Sequence, residues 1–227
     1  MTSGLAPHDG PYQDLDAYAR VVLTPPVEAR PGEVWAYASA PVDMLSHIIE
    51  NVTGLSQRDF FNQEIHAPIG VAPIAWPDFQ GHTGGSGGPG GGARYVAREL
   101  ARVGYPLLHG GRWAGREVLS RRRAGMAARW APWLAAAKFR QPNFARYEPE
   151  AQNFHGYLFW TNRTGRALGE AVPRDVFYMS GFGRQACWVF PSLDMVAVRI
   201  GSNVTLNEHP KFHQELLKRV VEAASKH

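Results

Sequence analysis

Tyr37-Ala38-Ser39 sets a phenol and a hydroxyl one residue apart, and Met179-Ser180-Gly181-Phe182-Gly183 sets another hydroxyl among small residues far down the chain. A serine attacks a carbonyl only when a neighbouring base takes its proton. No Ser-x-x-Lys, which would place a lysine one helical turn after a serine, occurs anywhere in the sequence. Gly84-Gly85-Ser86-Gly87-Gly88 satisfies Gly-x-Ser-x-Gly, with Asp194 and His209 following in triad order. That elbow needs a strand running into a tight turn and a helix. Ser86 instead lies in a tract whose glycines fit almost any spacing, so it is not expected to be a nucleophile. Gly85-Ser86-Gly87-Gly88-Pro89-Gly90 likewise fits Gly-x-Gly-x-x-Gly, but no strand precedes it and no acid follows at a strand end. His209 and His213 stand four apart, yet Pro210 marks a helix only beginning and no third ligand is evident. They read as surface histidines, and no metal or cofactor is expected.

The elements that must position these groups follow from spacing. A short helix is expected over about 15–23, ending before Pro25-Pro26. Pro41 suits a first helical turn, Val42, Leu45, Ile48 and Ile49 recur at helical spacing, and Gly54 lies just past the end. Tyr37 then falls at a loop-to-helix junction, where a side chain can face a cleft. Ser56 with Asp59 resembles a capping box opening a second helix through Phe60, Phe61 and Ile65. The glycine tract over 83–92 reads as a flexible loop. A helix follows over about 93–109, with Val96, Leu100, Val103 and Leu107 on one face and Gly110-Gly111 at its end. A short helix is expected over 118–128 and irregular chain over 132–152. The period then shifts to strands. Phe154–Trp160 reads as one strand ending at the turn cluster Asn162-Arg163-Thr164-Gly165. Gln185–Phe190 and Met195–Ile200 form a hairpin across the four residues Pro191–Asp194. A closing helix begins near Asn207, with Phe212, Leu216, Leu217, Val220 and Val221 inward. Helices first and antiparallel strands after them favour an α+β arrangement.

Composition bounds the partners. The chain has 227 residues, 44% of them hydrophobic, and seven tryptophans, enough for a sizeable core. It holds no apolar run of about 18 residues, so no membrane-spanning helix is expected. The net charge of +4 concentrates at Arg116, Arg121-Arg122-Arg123 and Arg129, read as a solvated helix face. No reading helix or stacking aromatics accompany it, so nucleic acid is not an expected partner. The lone Cys187 sits in an apolar run and reads as a buried thiol. Met1–Ala6 has neither the basic start nor the apolar stretch of a signal peptide, and no compartment follows from it.

Several stretches, in this order, resemble the serine β-lactamase-like family, which includes class C β-lactamases, D-alanyl-D-alanine peptidases, carboxylesterases and 6-aminohexanoate-dimer hydrolases. They are Met1-Thr2-Ser3-Gly4-Leu5, Pro31-Gly32 through Tyr37-Ala38-Ser39, Leu45–Glu50 with Gly54, Arg98–Arg102 with Gly110–Trp113, and Ser180–Gln185 with Pro191–Val198. The resemblance implies a β-lactamase/transpeptidase-like α+β fold, an antiparallel sheet with flanking helices, N-terminally incomplete. It is expected as a single domain over 1–227, with 1–152 mainly helix and loop and 153–227 strands and a closing helix. The implied activity is cleavage of an ester or amide through an acyl-enzyme, on a small ester, amide or peptide-like substrate. Tyr37 would be the proton-handling phenol, and Ser39 would hydrogen-bond the substrate or catalytic groups. Ser180, Gly181 and Phe182 would line the substrate, with the Phe182 N–H as an oxyanion donor. Ser39 stands where many members have asparagine, and Met179 where a lysine or histidine is common, departures that point away from penicillins. The family segment before Met1 would carry the nucleophile and part of the sheet. The chain by itself is therefore expected to be inactive, either a truncated hydrolase or a noncatalytic ligand- or partner-binding remnant.

Overall fold

The structure is a computed structural model, and it describes residues 3, 20, 23–24, 26–38, 40–76, 91–126, 138–139, 155–201 and 212–226. Ser39, Ser86 with most of the glycine tract, most of the helix expected over 15–23, nearly all of 132–152, Phe154 and His209 lie outside those residues. In chain order the first elements are β1 (Val34–Trp35), α1 (Ala40–Thr53), α2 (Gln57–Phe60), α3 (Ala97–Leu108), β2 (Arg112–Trp113), β3 (Arg116–Glu117), α4 (Arg121–Met126) and β4 (Lys138–Phe139). They are followed by β5 (His155–Gly156), β6 (Phe159–Thr161), β7 (Phe177–Gly181), β8 (Gln185–Phe190), β9 (Met195–Arg199) and α5 (Phe212–Ala224). The chain divides into two compact units, Met1–Tyr95 with Ala136–Gln141, and Val96–Ala135 with Pro142–His227.

In the first unit β1 pairs in parallel with β4, Val34 beside Lys138 and Trp35 beside Phe139. Trp35 is fully buried and anchors the segment that leads to α1. The helical spacing of α1 is as expected, but its faces are not the simple apolar-in pattern. Asp43 and Ser46 are buried, Ser46 donating to the Gln57 side chain, while Leu45, Ile48 and Val52 are exposed. Ser56 caps α2 as its spacing predicts, its Oγ accepting from the Asp59 N–H at 3.1 Å. From there the chain continues through a π-helical turn, Phe61–His66, and a 3-10 turn, Ala67–Ile69, which ends at Gly70.

The second unit is built on a five-stranded antiparallel sheet in the order β5-β6-β7-β8-β9. β8 lies inside it, and Ala186, Cys187, Trp188, Val189 and Phe190 are each at most 2% exposed. Such a continuous apolar run needs cover on both faces, because side chains alternate along a strand. Helix α3 covers the face of Cys187 and Val189. There Gly104 lies so close that a Cβ would meet Val196 Cγ1 at 2.8 Å and Cys187 Sγ at 3.0 Å. Leu107 and Leu108 of α3, with Phe159, pack on Phe177 and Val189. Helix α5 meets the opposite face, His213 lying edge-on to Trp188 at 5.1 Å, with Leu217 fully buried. The expected inward residues of α5 are all buried or half-buried. In α3, Leu100, Val103 and Leu107 are half-buried, whereas Val96 caps the helix and is exposed.

The β8–β9 hairpin has the predicted register, Phe190 opposite Met195 across Pro191–Asp194. The single strand expected over 154–160 is instead a tight hairpin. Gly156 pairs with Phe159, and Tyr157 and Leu158 both take positive φ, 49° and 70°. Two left-handed residues in a two-residue connection match the twist of the flanking strands, a geometry ordinarily supplied by Asn-Gly. Tyr-Leu carries no such sequence signal.

Candidate active site

Tyr37 follows β1 in the first unit. Its neighbours Ala36 and Ala38 are buried, while Tyr37 itself is 43% exposed, presented outward at the junction before α1. An outward phenol is the opposite of a buried core tyrosine. Ser39 is outside the described residues.

Ser180, Gly181 and Phe182 are contiguous in the second unit. Ser180 pairs with Ala186 and Gly181 with Gln185, both on the β8 side. On the other side the β6 register sets Thr161 against Phe177 and Trp160 against Tyr178, so Met179 lies level with Phe159, the first residue of β6, and Ser180 and Gly181 run past it. Ser180 is half-buried, Gly181 is exposed, and a Cβ built on Gly181 would meet nothing within 4 Å. Phe182 is not a strand residue; it opens the turn Phe182–Arg184.

That turn is held from beneath. Gly183 and Arg184 are both left-handed, with φ of 73° and 61°. A positive φ is costly for arginine, and such a conformation persists only where its surroundings impose it. Here Arg199 Nη1 donates to the carbonyls of Gly183 at 3.1 Å, Arg184 at 2.9 Å and Gly201 at 2.9 Å. His213 Nε2 donates to the Arg184 carbonyl at 3.3 Å. Burial holds the His213 imidazole below its ordinary pKa, with the Arg184 and Arg199 charges acting in the same direction. His213 is thus a half-buried supporting residue rather than a surface one. The Arg199 guanidinium also lies 4.9 Å over the Phe212 ring, tying β9 to the start of α5. The supports to the turn itself were not legible in the sequence, because Arg199 and His213 stand 15 to 29 positions from the carbonyls of Gly183 and Arg184 that they hold. The positive φ at a non-glycine residue is visible only in the structure.

Cys187 is buried, and burial pushes its thiol up to about 12, so it is a packing group and not a nucleophile. Arg121, Arg122 and Arg123 are exposed on α4. No helix among the described residues is long and apolar enough to cross a membrane.

A second polar constellation, which sequence spacing did not indicate, lies in the first unit. His66, 1% exposed, has its Nδ1 at 2.9 Å from Asn62 Oδ1 and its Nε2 at 2.7 Å from the Tyr95 hydroxyl. Asn62 is itself paired with the backbone of Ile74. Its Oδ1 accepts from the Ile74 N–H at 3.0 Å, and its Nδ2 donates to the Ile74 carbonyl at 3.3 Å.

The Beta-lactamase family model matches residues 1–223. Among solved structures, the chain is similar to a proposed β-lactamase from Bacteroides dorei DSM 17855, with 18% identity, a TM-score of 0.72, and coverage of 100% of this chain and 70% of that one. A β-lactamase from Mycobacterium bovis gives 18% identity, a TM-score of 0.71, and coverage of 98% and 71%. A proposed 6-aminohexanoate-dimer hydrolase from Bacillus anthracis gives 21% identity, a TM-score of 0.65, and coverage of 87% of this chain but 45% of that one. No curated protein matches. At these identities the likeness to solved structures is one of fold. The match over residues 1–223, together with an antiparallel sheet and flanking helices of the same kind, makes this chain a member of the Beta-lactamase family of serine hydrolases.

Proposed function

We propose that this chain carries the Tyr and Ser-Gly portions of a hydrolase that cleaves an ester or amide through an acyl-enzyme, and that these 227 residues alone do not turn over. The observation that carries the reading is the end of β7. A strand whose last residues run past β6, with an exposed glycine and open space beside it, offers backbone groups to a flat acyl substrate. The turn after it, held at the Gly183 and Arg184 carbonyls, supports the reading in which the Phe182 N–H would donate to a developing oxyanion. Tyr37, outward at its junction, would handle the proton, and Ser39 would contact substrate or catalytic groups. A phenol is a poor base near pH 7 unless a cation sits beside it, and the lysine of a Ser-x-x-Lys is absent from the sequence. The missing cation at Met179 favours esters and simple amides over penicillins.

The same absence of Ser-x-x-Lys supports a second reading, a noncatalytic domain that binds a ligand or partner. Incubating the 227-residue chain with a fluorescent penicillin and with p-nitrophenyl butyrate separates the alternatives. Intact mass is expected to show no acyl adduct on any serine, and ester turnover is expected to match buffer. Turnover that survives Tyr37→Phe and disappears in Ser86→Ala would instead assign the chemistry to the glycine tract. In a longer form that carries the nucleophile, Tyr37→Phe is expected to lower kcat by on the order of 10²–10⁴-fold, the usual worth of general acid–base help. The noncatalytic reading requires a cooperative thermal transition for the isolated chain, and a non-cooperative melt would exclude it.

A further inference from the structure

We infer that Tyr95 is a nucleophile, activated by His66 and Asn62, for transfer of a tetrahedral sulfonyl or phosphoryl group to its phenol oxygen. The inference rests on the first unit alone and is independent of the acyl-enzyme reading. Its first step is the orientation of one amide. Because Asn62 Oδ1 takes the Ile74 N–H and Asn62 Nδ2 gives to the Ile74 carbonyl, the side chain cannot be turned over without breaking both bonds. The oxygen therefore faces His66, and an amide oxygen only accepts, so His66 Nδ1 carries the hydrogen. In a neutral imidazole the other nitrogen is then the acceptor. His66 Nε2 accepts the Tyr95 hydroxyl across 2.7 Å.

This is the order of groups that nucleophilic catalysis uses: a nucleophile, a base within hydrogen-bond reach, and a third group that fixes the base's tautomer. The ring planes of His66 and Tyr95 stand nearly perpendicular, 84°, with centroids 5.5 Å apart. His66 is enclosed, whereas Tyr95 is half-buried, so the chain of groups leads outward from the interior. Backbone pairing steadies the nucleophile's position, the Arg94 N–H donating to the Ala75 carbonyl at 3.0 Å. In the step itself the Tyr95 oxygen attacks sulfur or phosphorus and forms the new O–S or O–P bond. The leaving group departs with its bonding electron pair, and the phenol proton passes to His66 Nε2. The resulting imidazolium keeps its Nδ1–H on Asn62 Oδ1.

An aryl sulfonyl fluoride tests this on the intact chain, with fluoride as the leaving group. Trypsin isolates Tyr95 in the peptide Tyr95–Arg98 and Tyr105 in Val103–Arg112, so both are read in one digest. Tyr105 is the comparison, being 42% exposed, tilted against His109 and edge-on to Trp113, without a hydroxyl-to-imidazole bond. Tyr95 is expected to be modified at least about tenfold faster than Tyr105, within the range that a positioned base supplies. His66→Gln is expected to lower the Tyr95 rate about tenfold or more while the Tyr105 rate stays constant. If Tyr95 serves packing alone, His66→Gln leaves its rate unchanged or raises it by loosening the site, and the inference fails. Should His66→Gln not fold, the pH dependence of the unaltered chain decides. Assistance by imidazole makes the Tyr95 rate level off well below pH 10, near which free phenols ionise. A Tyr95 rate that climbs with pH in parallel with Tyr105 would overturn the inference.

Discussion

Asn162 is 1% exposed, and its amide serves three backbone groups of the loop that follows β6. Its Oδ1 accepts from the Leu168 N–H at 2.9 Å, and its Nδ2 donates to the carbonyls of Val172 at 3.1 Å and Pro173 at 3.2 Å. Replacing it by leucine would fill a similar volume while leaving those groups buried and unpaired, each costing about 1–3 kcal/mol. Asn162→Leu is expected to lower stability by at least about 2 kcal/mol, measured as a shift of the urea midpoint at constant slope. The turn made by Asn162-Arg163-Thr164-Gly165 was legible, and Gly165 does bond back to Asn162. What the Asn162 side chain does was not, because its partners lie six to eleven positions further on and are brought near only by the fold. The same limit hid Asn62, His66 and Tyr95, whose separations of 4 and 29 match no motif. Tyr37, by contrast, was legible as a junction residue, since a helix start after an extended segment fixes where it stands.

Helices and strands with strong periodicity or punctuation were the readable elements. The cap at Ser56, the β8–β9 hairpin and the inward face of α5 follow from spacing alone, because each is specified by neighbours in sequence. Helix α1 shows where spacing stops being enough. Its Leu45, Ile48 and Val52 stripe is regular yet exposed, since periodicity locates a helix but not the surface that receives it. At the end of α3 the glycine signal has a sharper physical content than a helix stop. Gly111 has φ of 90°, and a Cβ there would lie 1.8 Å from the Leu119 carbonyl oxygen, whose chain returns to bond the Gly111 carbonyl through the Val118 and Leu119 N–H groups. Neither strand of the short β2–β3 hairpin can move away without breaking those bonds. Gly111→Ala is therefore expected to cost more than about 3 kcal/mol, seen as a large drop in Tm or loss of soluble protein.

At the scale of the whole molecule, two buried histidines make the second unit sensitive to acid. Burial lowers His155 from 6.5 to about 3 and lowers His213 in the same direction. Well above pH 6.5 both histidines are neutral in folded and unfolded chains. Below it the unfolded chain takes up protons that the folded one refuses, so stability falls as pH falls toward the folded value. The contribution of His155 approaches about 1.4 kcal/mol per pH unit. A urea series from pH 7 to pH 4 is expected to show a falling midpoint, and His155→Phe, which keeps a ring against Trp160, is expected to flatten part of that fall. A slope unchanged by His155→Phe would assign the acid sensitivity elsewhere. The parallel pairing of β1 with β4 also bears on how the chain is made. On a ribosome Val34 and Trp35 emerge about a hundred residues before their partners Lys138 and Phe139, and contacts so distant in sequence form slowly. During that interval α3 and the β2–β3 hairpin, which belong to the other unit, are already outside. The first unit is thus the earlier one to start but waits for residues up to Gln141, made after forty residues of the other unit, so slowing translation between Tyr95 and Lys138 would prolong the exposure of Trp35 to chaperones and proteases.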